Sequence, residues 1–174
     1  YKLRANVEIS DVGDQFAALF SSEPFAGAAA DPRLSDGSLG WRAVRPRERE
    51  SSDGANTFEH VRLAAGVPDL ARDAAPDEVF ALEALLEELN GVAFHKGCFV
   101  GQENVSRMKR RATTRKKFCP ITFEGEPPPY GAVIQAGEAE IGAVRTGMPG
   151  RAIALVRLDR ALEAEAAGTP LTVA

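Results

Sequence analysis

Residues 96–111 read KGCFVGQENVSRMKRR, and they set a thiol, an amide, a carboxylate and several cations within reach of one another. Cysteine chemistry runs through the thiolate, which is favoured beside cations and at helix N-termini. Cys98 has Lys96 two residues before it and a predicted helix start three or four residues after it. Gly97 and Gly101 flank the thiol. Glycines there permit positive φ and a close backbone approach, so the amides of 97–102 are expected to form a nest for a carboxylate-like anion. Gln102 and Glu103 add donors and acceptors suited to the edge of a heterocycle, and Arg107 opens the cationic run that follows. Local physics leaves plainer readings open: a free cysteine often packs as a small apolar residue, the glycines can be turn residues, and Lys96 a surface charge.

The elements that must position these groups follow from periodicity and punctuation. Ahead of the motif, Leu3, Ala5, Val7 and Ile9 alternate with polar residues and predict a strand. QFAALF and LGWRAVRP predict two more, the latter ended by Pro46. The polar stretch RPRERESSDG predicts a loop, and a short helix is expected over about 56–65, stopped by Gly66 and Pro68. Pro76, Asp77 and Glu78 resemble a helix start, and Val79, Leu82, Leu86 and Leu89 share a helical face, which predicts a helix ended by Asn90-Gly91. A second helix is predicted over about 102–111, with Glu103 in its first turn and Arg110 and Arg111 near its end. From Phe118 on, FCPITF, AVIQA, EIGAVRT, AIALVRL and PLTVA are separated by Gly- and Pro-bearing turns. They predict a small antiparallel barrel, with DRALEAEAAG as a helical excursion.

Composition narrows the class. With 44% apolar and 26% charged residues among 174, the chain is a globular protein able to bury a core. No apolar run approaches the roughly eighteen residues of a membrane span, so no membrane partner is expected. Two cysteines, Cys98 and Cys119, are too few for a disulfide framework, and the N-terminal segment lacks the apolar stretch of a signal peptide. Together these predict a cytoplasmic protein. His60 and His95 stand far apart and pair with no cysteine at zinc-like spacing, so no metal site is expected. Seven basic residues and no acid lie between Arg107 and Lys117, which leaves -11 on the remainder of a chain whose net charge is -4. Such segregation marks an anionic partner or a solvated face.

The residues then show a family likeness. KGCFVGQE closely resembles the K-G-C-[FY]-x-G-Q-E signature of the YgfZ family, folate-binding relatives of the glycine-cleavage T-protein that act in iron–sulfur cluster maintenance and are linked to tRNA modification. YKLRANVEI, VRLAAGVP, LNGVAFHKGC, SRMKRRATTRKK and EIGAVRTGMPGRAIALVRLDRAL are similar to further segments of that family, so the likeness covers nearly the whole chain. It implies an α+β protein: a mixed α/β folate-binding region over 1–116, like that of the T-protein and YgfZ, followed by a C-terminal antiparallel β-barrel over 117–174. It implies tetrahydrofolate or another folate as cofactor, Cys98 as the functional thiol, and Lys96, Gly97, Gly101, Gln102, Glu103 and Arg107 about the ligand. Iron–sulfur client or assembly proteins, and tRNA, are the implied partners. The cations of 107–117 suit a polyglutamate tail.

Departures from the pattern carry information. Position 99 is Phe where Tyr is commoner, Ala81 stands where a Pro commonly precedes Glu83, and Ala112 replaces a glycine, which predicts a different turn after the basic helix. Ala64 stands where aminomethyltransferases of this likeness carry a carboxylate that holds the pterin. Loss of that charge-assisted bond costs roughly 1.5–3 kcal/mol, which disfavours the alternative of a folate-dependent aminomethyltransferase. A second alternative is an RNA-binding module using 107–117, though only Phe118 supplies an aromatic beside the run. The family carries a substantial region before Y-K-L-R, so the chain is expected to lack an N-terminal part, including one wall of the folate channel.

Overall fold

The computed structural model describes residues 6–47, 53–111 and 114–173. Three antiparallel strands come first: β1 (Phe16–Ser21), β2 (Ala29–Ala30) and β3 (Trp41–Pro46), in the order β1-β3-β2. The register sets Phe16 opposite Pro46 and Ser21 opposite Trp41, so Pro46, without an amide donor, closes the strand as its position predicted. Residues 1–5 of the predicted first strand lie outside the described residues. The rest of that expectation is corrected, since Val7 and Ile9 sit in exposed, irregular chain. Alternation alone does not make a strand unless a neighbouring strand takes its backbone groups. In the loop between β2 and β3, buried Asp31 accepts from Arg33 Nη2 at 2.7 Å and pairs with Arg42 Nε at 3.0 Å, fixing that connection to β3.

Helix α1 (Asp53–Ala64) crosses behind this sheet, with Phe58 packed against Phe20 at 5.1 Å between ring centroids. It ends as predicted at Gly66, whose φ of +68° suits a residue without a Cβ, and whose added Cβ would lie 3.1 Å from Pro120. One turn of helix, α2 (Leu70–Asp73), follows, and its N-cap Asp69 accepts from the Ala71 amide at 3.2 Å.

The helix predicted over Pro76–Leu89 does not form. Residues 81–90 run as consecutive turns after an irregular entry, with Asp77, Leu85 and Asn90 all near φ +60°. Of the apolar positions read from the sequence, Leu82 is buried, and Val79 and Leu86 pack on the cluster that holds Ala84. What displaces the helix is competition for its backbone. The carbonyl of Glu83 accepts from Phe118 N–H at 3.1 Å and that of Glu78 from Lys116 Nζ at 3.0 Å, while buried Glu83 Oε2 accepts from Phe80 N–H at 2.9 Å. Groups drawn to a neighbouring strand are no longer free for an i to i-4 ladder.

Helix α3 (Gln102–Arg111) forms as predicted. Beyond it, β4 (Lys116–Thr122), β5 (Val133–Ala136), β6 (Ala139–Met148), β7 (Arg151–Arg157) and β8 (Leu171–Val173) make one sheet in the order β4-β7-β6-β5-β8, with α4 (Leu158–Ala166) between β7 and β8. All the pairings are antiparallel. The sheet is open, where the sequence predicted a closed barrel: β4 and β8 are its two edges, and the outer side of β4 is met at Phe118 by the turn segment, not by β8.

Ile134, Ile141, Val144, Ala154 and Val156 form one core with Ala164 of α4. Phe118, Ile153 and Leu155 form another with Leu63 of α1 and Ala84, so the sheet and the preceding helical region share a packed cluster across residue 117. No helix among the described residues is long and apolar enough to cross a membrane.

At the start of α4, Arg157 donates to Asp159 through Nε at 3.0 Å and Nη2 at 2.7 Å. Those bonds hold the Asp159 carboxyl at about 2, against an ordinary 3.8. Asp31 is also lowered; burial pushes it up, but the bonds and charge of Arg33, with the charge of Arg42, outweigh that. A carboxylate depressed by folding stabilises the protein above its unfolded value, and that contribution is lost as pH falls through the folded value. Denaturant midpoints are therefore expected to fall as pH drops from about 4 to about 2, and Asp159→Asn is expected to flatten part of that slope.

Candidate functional site

The loop of residues 92–101 leads from the turn segment into α3, and its last residues shape the helix start. Phe99 N–H donates to Gln102 Oε1 at 3.0 Å, and Gln102 N–H donates back to the Phe99 carbonyl at 3.2 Å. This reciprocal pair closes the turn, in the manner of a capping box. Gly101 adopts φ +84°, as expected for a residue that must turn left-handed before a helix. Gly97 has no positive φ, and a Cβ there would meet nothing within 4 Å. The positive φ that both glycines permit is used at Gly101 alone.

Cys98 carries a free, exposed thiol. Lys96 extends over the Phe99 ring, its Nζ 5.6 Å from the centroid. Cys119 differs: it is half-buried in β4, and burial pushes its thiol up, partly offset by the Lys117 charge. That matches the core role its strand position suggests.

Gln102, Glu103 and Arg107 are brought together with Ser106, Arg110 and Arg111 along one side of α3, where they line an open depression of about 590 Å³. Lys96, Gly97, Cys98 and Gly101 belong to the preceding loop and are not among its lining residues. Gln102 is also committed differently than expected, since its side-chain oxygen accepts from the Phe99 amide. The Phe99 amide is likewise withdrawn from the predicted anion nest. Ala64 lies exposed near the end of α1, and Ala112, where a changed turn was expected, lies outside the described residues.

A second cavity, of about 380 Å³, lies between α1, α2 and the turn segment, with Phe58, Pro68, Leu70, Leu86 and Leu89 in its wall and Arg33 and Arg42 among its polar residues. Sequence reasoning missed it because its wall is assembled from segments that are dispersed along the chain. It also missed the buried polar centre beneath. Arg62 and Asp73 are 1% and 0% exposed. Arg62 donates to Glu59, to Thr146 Oγ1 at 2.6 Å and to Asp73 Oδ2 at 3.3 Å. Asp73 accepts from Asp69 N–H at 2.6 Å, Thr146 N–H at 2.9 Å and Thr146 Oγ1 at 2.6 Å. One carboxylate thereby ties α1 and α2 to β6. The sequence signal was Arg62 standing within the otherwise apolar stretch 61–65.

Comparison with known proteins gives this architecture a class. Residues 115–174 match the model of the CAF17 C-terminal beta-barrel domain, so the open sheet β4–β8 with α4 is the counterpart of that domain in a mixed α/β protein. Over 147 residues, 75% of the chain, it is 33% identical to the human mitochondrial iron–sulfur cluster assembly factor IBA57. The mouse protein of that name is 30% identical over 142 residues, and the Mycosarcoma maydis homologue 29% over 146. The chain spans 40%, 39% and 36% of those relatives' lengths. The likeness that the sequence showed to YgfZ thus falls on CAF17 and IBA57, and the matched relatives are named for iron–sulfur cluster assembly. The expected cytoplasmic location is corrected by the same comparison, because these relatives are named mitochondrial proteins. Free thiols indicate a reducing compartment and do not say which one.

Proposed function

We propose that this chain is part of an iron–sulfur cluster assembly factor of the YgfZ/CAF17 group, that it binds a folate, and that Cys98 is its functional thiol. The observation that carries the reading is the exposed Cys98 loop, capped onto α3, inside a segment similar to IBA57: a match spanning 75% of the chain has to include residues 96–103. Two features support a folate. Arg107 lines the depression on α3 with a guanidinium suited to the glutamate carboxylates. The apolar cavity beside Phe58 and Leu86 has the size and lining of a small-molecule site. Lys96, Gly97, Gly101 and Glu103 frame the loop between thiol and helix, and Gln102 fixes its turn.

Equilibrium titration with tetrahydrofolate tests the cofactor part. Saturable binding is expected, weakened roughly tenfold by Arg107→Ala, the loss of a charge-assisted hydrogen bond, and little changed by Cys98→Ser. No saturable binding, or binding indifferent to Arg107, counts against the folate.

A further inference from the structure

The cationic run after the motif is uniform in sequence and divided in the structure. Its lysines are neutralised within the molecule: Lys109 pairs with Glu87 and its Nζ lies 4.0 Å from the Phe94 centroid, Lys117 pairs with Glu88, and Lys116 lies 3.8 Å from Glu83 Oε2. Arg107, Arg110 and Arg111 form no ion pair among the described residues. At spacings of three and four they share one face of α3 with Glu103, opposite the half-buried Val105 and Met108. The helix buries no residue, and the depression along its outer face is lined by α3 alone. At the head of the stripe Val100 is 103% exposed, on the turn that Gln102 and Gly101 fix.

We infer that this face of α3, with Val100, docks an acidic amphipathic helix of a partner protein. A facing helix offers carboxylates at the pitch of the three guanidiniums, whose planar forks pair carboxylates bidentately, and arginine is the cation enriched at protein interfaces. An apolar stripe on the same helix covers Val100. The choice of a protein over a nucleic acid follows from the make-up of the stripe. Glu103 interrupts the row of cations that a phosphate backbone would track, and the exposed apolar Val100 at its head suits a side-chain contact and not a phosphate. QENVSRMKRR also holds no aromatic on which a base could stack. This goes beyond the reading above: it shares Arg107 with the folate, adds Arg110, Arg111 and Val100, and leaves the thiol out.

The test measures fluorescence anisotropy of a labelled helical peptide of alternating Glu and Leu turns with the intact chain, against bulk tRNA and pteroylpentaglutamate as separate probes. Arg110→Glu with Arg111→Glu is expected to weaken the peptide about tenfold or more, and Val100→Ser about threefold. Arg151→Glu, an equal charge change per site at an exposed position on β7, and Cys98→Ser are expected to leave it unchanged. Thermal melts check that each variant is folded. No saturable peptide binding, equal loss with Arg151→Glu, or indifference to Val100 overturns the proposal. So does tRNA binding more tightly than the peptide, or pteroylpentaglutamate depending on Arg110 and Arg111 as strongly as the peptide does.

Discussion

Cys98→Ser is expected to abolish the support of iron–sulfur enzymes in cells deprived of the corresponding assembly factor, while leaving the melting curve of the purified chain where it was. The second half follows from exposure: the thiol is free and outward, so a hydroxyl of nearly the same size removes no packing. The first half follows from chemistry, because a serine oxygen is neither a soft metal ligand nor a thiolate nucleophile. Cys119→Ser is the matched control. That thiol is half-buried in β4 with burial opposing its ionisation, so the variant is expected to keep activity and lose some stability. Full activity in the Cys98→Ser variant would falsify the role given to that thiol, whatever the folate titration shows.

Asp73→Ala is expected to give the largest loss of stability among the changes considered, about 3–5 kcal/mol, because it breaks a buried, multiply bonded charge pair from one side. The carboxylate is fully buried and accepts from the Asp69 and Thr146 amides, the Thr146 hydroxyl and Arg62. Its removal leaves two partly buried amides without that acceptor and the Arg62 guanidinium balanced by Glu59 alone. Denaturant unfolding at neutral pH measures the loss. Asp73→Asn, which keeps the volume and one acceptor oxygen, is expected to lose less. Near-equal midpoints for wild type and Asp73→Ala would show that α2 and β6 are held by something other than this centre.

These predictions draw on different depths of the sequence. The loop around Cys98 was legible because its parts are consecutive: Gly101 must turn, Gln102 can reach back to Phe99, and a helix with Glu103 at its head and arginines at its tail agrees with its own dipole. The five strands after Lys116 were legible for a similar reason, each being a short apolar run closed by Gly- or Pro-bearing turns. The Arg62–Asp73–Thr146 centre was not legible, because its members are 11 and 84 residues from Arg62 and no local pattern distinguishes a buried aspartate from an exposed one. The compartment was not legible either, because free thiols are compatible with more than one reducing environment.

The sequence by itself determined the stops at Gly66 and Gly101, the helix over Gln102–Arg111 and the short apolar strands that follow it. Those properties depend on neighbours within a few residues. Tertiary structure decided the rest. Leu82, Glu83 and Ala84 are buried in succession, as no single helix face would bury them, and the backbone there runs in turns while Phe118 and Lys116, far along the chain, take the carbonyls of Glu83 and Glu78. The same segment meets the outer side of β4, where a closed barrel would have had β8, and its Glu87 and Glu88 neutralise two lysines while three arginines are left facing outward. A side chain's polarity is local. The partner that satisfies it is chosen only when distant segments meet.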